Sequence, residues 1–264
     1  MITPLSEGTF TVDDSKKFIP FDPSKDHLKD RPSSLLVDIV PFLIRTNNDL
    51  IVIDPGLGMQ SAGGDFMILE NIQRAGHSAE DVSIVLLSHL HKDHTGGICY
   101  GNDPAFNLMF PKATYYCQQQ ELDYALSRKD SPSFVQAKLR FLKDTPQLRL
   151  LQGNGQINKE IAFEISGGHT PFHQVFTIMT STATCFFGGD VLPQPKQLQI
   201  RFNAKYDYDG KAAAGKRIEY GNRAAKEDYT CLFFHSGKMP MAKVKTGGDG
   251  KFLLEKIPAE FPDS

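Results

Sequence analysis

The segment Ser88–Gly97 reads SHLHKDHTGG and sets three imidazoles (His89, His91, His94) and one carboxylate (Asp93) within six consecutive residues. Protonated imidazoles gathered that closely would repel, and neutral buried ones would leave polar atoms unpaired. A divalent cation that collects the lone pairs resolves both problems. His89 and His91, two apart in extended chain, can point to one side, while Asp93 and His94 follow once the chain turns. One short loop can then feed two adjacent metal positions. Imidazole and carboxylate without cysteine suit zinc first, with manganese, iron or cobalt as possible occupants. Elsewhere His169 follows EISGG, Asp190 follows CFFGG, His235 follows CLFF and Asp54 closes LIVID. Taken singly, each such histidine reads as a packing or surface residue. Each of these four residues nevertheless falls at the end of an expected strand, where a rigid sheet can bring polar groups together.

The elements that must hold these residues alternate between strand and helix. VDIVPFLIRT and LIVID, either side of the turn NND, read as a hairpin. Phe66, Ile68, Leu69, Ile72 and Ala75 recur at helical spacing, and Gly76 sits where such a helix would stop. VSIVLLS is a continuous apolar run, as expected of a strand covered on both faces, and it leads directly into the histidine cluster. ATYYCQ reads as a strand, and QQELDYAL and PSFVQAKLRFL as helices. IAFEIS, QVFTIMT and ATCFFGGD read as strands that can pair. DGKAAAGKRIEYGNRAAKED follows as a helix with Asp209 as its N-cap, then the short apolar run YTCLFFH. MAKVK and KFLLEKI, around TGGDG, read as a closing hairpin. No repeat, low-complexity tract or linker interrupts the chain. The expectation is one α/β domain over residues 1–264, with an N-terminal arm at 1–36 and a C-terminal β-hairpin at 239–264.

Composition narrows the partners. Among 264 residues, 29 are Lys or Arg and 31 are Asp or Glu, for a net charge of -2 and no block of like sign. Nucleic acid is therefore not expected as a partner. No stretch approaches a membrane span or a secretory apolar region, which leads to the expectation of a cytoplasmic protein without a membrane partner. Cys99, Cys117, Cys185 and Cys231 are widely spaced, so neither a thiolate metal knuckle nor a disulfide framework is expected.

In chain order, Asp54, HLHKDH, GGHTPFH, GGD and FFHSGK resemble the motif series of the metallo-β-lactamase superfamily, from about Val37 to His235. The resemblance implies an αββα sandwich of two mixed β-sheets with helices on the outer faces. It implies that His89, His91 and His169 hold one metal, that Asp93, His94 and His235 hold a second, and that Asp190 bridges the two together with a water or hydroxide. Asp54 would fix the cluster loop through hydrogen bonds. His27, His77 and His173 match no ligand position, and His173 is retained as a possible supporting residue. The implied chemistry is attack of the bridging hydroxide on a lactone or ester carbonyl, or on a phosphoryl centre, with two Zn²⁺ as the expected cofactors. Asp190 and Asp93 are the expected catalytic carboxylates, Asp93 or a nearby water returning the proton to the leaving alkoxide.

Within the superfamily, residue 91 is histidine where flavodiiron oxidoreductases carry glutamate. Asp190 stands where many antibiotic-hydrolysing enzymes carry cysteine. The stretch from Asp190 to His235 is too short for the extra domain of the nucleic-acid-processing branch, and the tail after His235 is too short for the helical domain of glyoxalase II. FPKATYYCQQQELDYAL and DGKAAAGKRIEYGNRAAKEDYTCLFFH are similar to segments of the branch holding N-acyl homoserine lactonases and methyl parathion hydrolase. One departure is Pro193, at a position where lactonases of that branch carry a tyrosine aimed at the substrate carbonyl. Either another group, such as Tyr206 or Tyr208 from KYDYDG, supplies that contact, or the substrate is not an acyl homoserine lactone. Met59, Phe66, Phe106, Phe134 (in the expected helix PSFVQAKLRFL) and Phe172 are candidate pocket walls, against the simpler reading of core packing. The leading expectation is an N-acyl homoserine lactonase with a small-molecule lactone or ester substrate, in a possible homodimer. The alternatives are an arylesterase or phosphotriesterase, a mononuclear iron persulfide dioxygenase, and a non-catalytic metal-stabilised binding protein.

Overall fold

The computed structural model describes residues 1–200, 202–259 and 261. Two large sheets face each other. The first has six strands in the spatial order Ile2–Pro4, Phe42–Arg45, Leu50–Ile53, Ile84–Leu86, Thr114–Gln118 and Leu148–Leu151. The second has seven, in the order Gly155–Gln156, Ile161–Ile165, Gln174–Met179, Thr184–Phe187, Thr230–Leu232, Met241–Thr246 and Phe252–Lys256.

The central strands LIVI and IVL are apolar throughout because both of their faces are covered. Leu50, Val52 and Val85 point outward against Ile68 and Ile72 of the helix Met67–Arg74, and against Leu122 and Leu139 of the helices Gln119–Ser127 and Gln136–Asp144. Ile51, Ile53, Ile84 and Leu86 point inward and meet Phe176, Phe187, Leu232 and Phe234 of the second sheet. The outer face of that second sheet, including Val175, Phe186 and Cys231, is covered by Tyr220 and Ala224 of the helix Gly210–Lys226. The layers are thus helix, sheet, sheet, helix, the αββα sandwich expected from the motif series. All four cysteines lie buried and unpaired in it.

Strand direction positions the site. Leu50–Ile53, Ile84–Leu86, Thr114–Gln118 and Leu148–Leu151 run parallel. In the second sheet Thr184–Phe187 and Thr230–Leu232 are parallel. Ile161–Ile165 runs the same way, since it and Thr184–Phe187 are both antiparallel to Gln174–Met179. Asp54, His89, His169, Asp190 and His235 each follow the C-terminal end of one of these strands, on the turn or loop that leaves the sheet.

Three local expectations are corrected. VDIVPFLIRT is two strands: Pro41, which has no N–H to donate, separates Leu35–Ile39 from Phe42–Arg45, and only the second pairs with Leu50–Ile53. The helix expected from Pro132 begins at Gln136, so Phe134 lies in the turn before it. The first 36 residues are built into the fold. Ile2–Pro4 pairs with Phe42–Arg45, while Gly8–Val12, Phe18–Pro20 and Leu35–Ile39 form a separate three-stranded sheet. Among the described residues no helix is long and apolar enough to cross a membrane.

Candidate metal centre

The loop that carries the histidine cluster is fixed from three sides. Asp54, fully buried and in the left-handed region at φ 46°, accepts the Ser88 N–H at 2.7 Å, the Ser88 hydroxyl at 2.5 Å and His94 Nδ1–H at 2.8 Å. Gly96 and Gly97 pack backbone to backbone on the PGLG loop. A Cβ on either would lie 2.0 Å from the Leu57 carbonyl oxygen or 2.1 Å from that of Pro55. Glu7 fixes the far side of the same loop by accepting the Leu57 and Met59 N–H groups at 2.5 and 2.9 Å. Burial pushes its carboxyl up to about 7 against those two bonds.

Tautomers follow from the outer partners of each ring. Ser88 spends its proton on Asp54, so its oxygen accepts from His89 Nδ1 at 3.0 Å. His169 Nδ1 donates to Asp207 Oδ1 at 2.8 Å. Both Nε2 lone pairs then face inward, each 3.0 Å from His91 Nδ1. Tetrahedral ligands at zinc bond lengths are about 3.3 Å apart, so this triangle has the size of one face of a zinc site. Burial, together with the neighbouring imidazoles, holds His89 and His91 well below 6.5, in the neutral form that can ligate.

A second group meets the first. The chain turns at His91 into the short helix Lys92–Thr95, which carries Asp93 and His94. His94 Nδ1 is committed to Asp54 and His235 Nδ1 donates to the Asp38 carbonyl at 2.7 Å, leaving both Nε2 atoms facing carboxylates. His94 Nε2 and His235 Nε2 lie 3.2 and 3.1 Å from Asp190 Oδ1, and each is 3.7 Å from Asp93 Oδ2. The other oxygen of Asp190 lies 3.2 Å from His169 Nε2, in the first group.

The arrangement calls for positive charge. His94 Nε2 and Asp190 Oδ1 are buried without a hydrogen-bond partner, one lone pair facing another. Burial disfavours a charge on His94 and His235, yet Asp190 and Asp93 outweigh it and raise both. Burial would likewise raise Asp190, but His235, His94 and His169 hold it well below the usual carboxylate range. Two cations, one per group, fit these donors: His89, His91 and His169 could hold one, Asp93, His94 and His235 the other, with Asp190 turned to both.

Four further residues support the site, of which Asp207 and Glu121 belong to no sequence motif and His173 is the supporting residue expected from GGHTPFH. Asp207 orients His169 and also lies 3.4 Å from the buried guanidinium of Arg217. His173 holds Asp190 in place: its Nδ1 bonds Ser166 Oγ at 2.7 Å, so its Nε2 accepts the Asp190 N–H at 3.1 Å. Glu121 ties the cluster loop to the His169 turn by accepting the Leu90 N–H at 3.3 Å and the Thr170 hydroxyl at 2.8 Å, and burial pushes it up to about 7. Pro193 has a backbone role, its carbonyl accepting the His235 N–H at 3.0 Å.

A cavity of about 320 Å³ opens onto the centre, bounded by His91, Asp93, His169, Asp190 and His235 on its floor and by Val12, Phe18, Leu35 and Val37 of the three-stranded sheet. Tyr206 lines it too, its ring 6.1 Å from that of His169. Burial, with Asp190 and Asp207, pushes its phenol up, so it stays protonated. A smaller cavity of about 230 Å³ adjoins the first at His91, Ser133, His169 and Tyr206, with Tyr124, Phe134 and Tyr208 as its aromatic wall. Of the expected pocket residues, Phe134 therefore lines the site. Phe66 and Phe106 line a different groove, Met59 packs against the core between the sheets, and Phe172 lines neither cavity at the centre.

Comparison with known proteins bears on the fold and the family. The chain is similar to the N-acyl homoserine lactonase AttM of Agrobacterium fabrum, 28% identical over 153 residues, and to AttM of Azorhizobium caulinodans, 30% identical over 151. These matches cover 53% and 52% of this chain and 48% and 47% of the relatives, so the chain spans about half the length of each. Its fold is similar to that of a probable metal-dependent hydrolase from Staphylococcus aureus, with a TM-score of 0.76 at 20% identity over 98% of both chains. It is also similar to that of AidC, a dizinc quorum-quenching lactonase, with a TM-score of 0.72 at 22% identity over 98% of this chain and 94% of that one. Residues 37–225 match the family described as the Metallo-beta-lactamase superfamily, a span that holds every convergent side chain of the two groups except His235. Because that match runs through most of the sandwich, the chain belongs to the metallo-β-lactamase superfamily.

Proposed function

We propose that the chain is a hydrolase of lactones or esters that works through two divalent cations, zinc first among them, and that N-acyl homoserine lactones are among its substrates. The observation that carries this reading is Asp190. Its two oxygens face two separate imidazole groups at 3.1 to 3.2 Å, the disposition a carboxylate shared by two cations requires. The names of the AttM relatives and of AidC support the substrate class.

When bound, the cations supply a nucleophile from water at neutral pH and polarise a carbonyl oxygen. The chain's own residues supply the rest. Asp207, Ser88, Asp54 and the Asp38 carbonyl accept from the outer Nδ1 atoms of His169, His89, His94 and His235, and so turn the Nε2 atoms of these rings inward, where a cation would take their lone pairs. Asp93, at the floor of the cavity, is placed to hold at its carboxylate the proton that the leaving oxygen takes up. Tyr206 keeps its phenol proton and can donate it in a hydrogen bond to a substrate oxygen, the contact Pro193 cannot make. The apolar wall of Val12, Phe18, Leu35 and Val37 takes the acyl limb and excludes water from that side. The aromatic wall of the smaller cavity favours, as the second reading, aryl esters or phosphotriesters with a flat leaving group.

The test is proton release in weak buffer by the zinc-loaded protein on N-butanoyl and N-dodecanoyl homoserine lactones. Ring opening is expected with the native chain and a loss of about a hundredfold or more in Asp190→Ala. Undiminished release by the variant would refute the reading.

A further inference from the structure

Two lysines line the cavity beside its apolar wall. Lys92 begins the short helix that carries Asp93 and His94, and Lys16 sits in the turn between Gly8–Val12 and Phe18–Pro20 in the left-handed region at φ 57°. That conformation is uncommon for any residue with a Cβ, and here it belongs to a turn whose Lys16 lines the cavity together with Val12 and Phe18. Both residues are half-buried. Among the described residues neither has a carboxylate within 4.0 Å, whereas Lys25, Lys112, Lys243 and Lys245 each pair with one. Lys92 instead rests its ammonium 6.0 Å from the centre of the Phe18 ring, in the same wall.

The charge balance gives these lysines a meaning. Asp93 and Asp190 are the cavity's only carboxylates among its described lining residues, and both turn to the imidazole groups. With two divalent cations there, those carboxylates would be outweighed, and Lys16 and Lys92 add positive charge that no carboxylate of the described residues pairs with within 4.0 Å. Unpaired ammonium groups beside an apolar wall are a recognition surface for a ligand that is apolar along its length and anionic at its end.

We propose that Lys16 and Lys92 select lactones or esters whose acyl limb ends in an anionic group, a carboxylate being the simplest. The acyl chain lies along Val12, Phe18, Leu35 and Val37, and its terminal anion sits between the two ammonium groups. The proposal rests on the hydrolase reading for its catalytic readout and on the geometry of the cavity wall for its binding readout.

The experiment compares mono-4-nitrophenyl glutarate with 4-nitrophenyl pentanoate, two esters of the same acyl length of which only the first ends in a carboxylate. Both are followed with the zinc-loaded full chain, with Lys16→Ala, with Lys92→Ala and with the double variant. The expected result is a KM for the anionic ester about tenfold below that for the neutral one, a ratio that collapses towards one in the double variant and returns with Lys16→Arg and Lys92→Arg. Calorimetric binding of the inert amides glutaric acid monoanilide and pentanoic anilide reads the same preference without turnover. The preference should weaken between 50 and 500 mM salt, by about the ratio screening predicts for half-exposed charges. An equal KM ratio and an equal anilide Kd ratio in the native chain and the double variant would overturn the proposal. So would an equal loss on both esters, which would mean that the lysines act on the carboxylate formed in the reaction. If neither ester is cleaved, the hydrolase reading fails, and the anilide ratio alone decides the lysine assignment.

Discussion

Asp207 offers the sharpest perturbation, because one carboxylate serves two buried partners. Its Oδ1 accepts His169 Nδ1–H at 2.8 Å and its Oδ2 lies 3.4 Å from Arg217 Nη2, with the Asp207 side chain wholly buried and Arg217 nearly so. In Asp207→Ala the guanidinium keeps only the Val191 and Phe202 carbonyls, each at 2.6 Å. Removing one partner of a buried pair costs about 3 kcal/mol even with such carbonyls remaining, which for a chain of this size lowers Tm by about 6 to 12 °C. The loss at His169 is separate. Without an acceptor at Nδ1 the ring loses its orientation, and metal affinity falls about 10- to 100-fold, or about 1.4 to 2.7 kcal/mol. That loss should be confined to the cation that His89, His91 and His169 would hold. Asp207→Asn separates the two effects, since its carbonyl oxygen can still accept from Nδ1 while Arg217 loses its counter-charge. Its Tm should fall nearly as far as that of the alanine variant, with a smaller loss of metal affinity. Competition for zinc against a chromophoric chelator, read as two binding classes, gives the affinities. The reasoning is refuted if the alanine variant binds both equivalents as the native chain does, or if both classes weaken alike.

Two further outcomes follow from the scaffold. Gly97→Ala would place a Cβ 2.1 Å from the Pro55 carbonyl oxygen, so the cluster loop and the PGLG loop must separate. A loss of about 3 kcal/mol is expected, read as a Tm drop of about 6 to 12 °C, and a Tm within about 1 °C of the native chain would contradict the packing. Glu7 is raised by burial from 4.5 to about 7, so between those values the folded chain keeps a proton that the unfolded chain has shed. Its contribution to stability therefore falls by roughly 3 kcal/mol as pH rises through that window and is level above it. Melting in the presence of a chelator at pH 5 and pH 8 should show a fall in the native chain that is roughly 3 kcal/mol larger than in Glu7→Gln, where the buried Glu121 carboxyl, also raised to about 7, still contributes; equal slopes would contradict it.

How much of this was legible in the sequence depended on the range of the interactions. The cluster at residues 89–94 declares itself because its partners are local, and the strand-end positions of Asp54, His169, Asp190 and His235 follow from apolar runs that stop abruptly. The cavity wall did not. Gly8–Val12 and Phe18–Pro20 are short, and they become strands only by pairing with Leu35–Ile39, so a reading of local periodicity leaves them as an arm. Asp207 is one of several aspartates near a turn, and nothing local marks its bond to a histidine 38 residues away. Phe134 was misplaced by the helical spacing of PSFVQAKLRFL. The helix starts only at Gln136, whose side chain bonds back to the Ala125 and Arg128 carbonyls and so docks it on the preceding helix.

The central claim is that both groups must be occupied for hydrolysis. It is tested most directly by adding zinc to the metal-free protein in fractions of an equivalent while recording the initial rate of proton release from N-hexanoyl homoserine lactone. The rate should stay near zero through the first equivalent, rise through the second and level off at two per chain. A rate that is complete at one equivalent, or no release from a chain that holds two, would contradict the account.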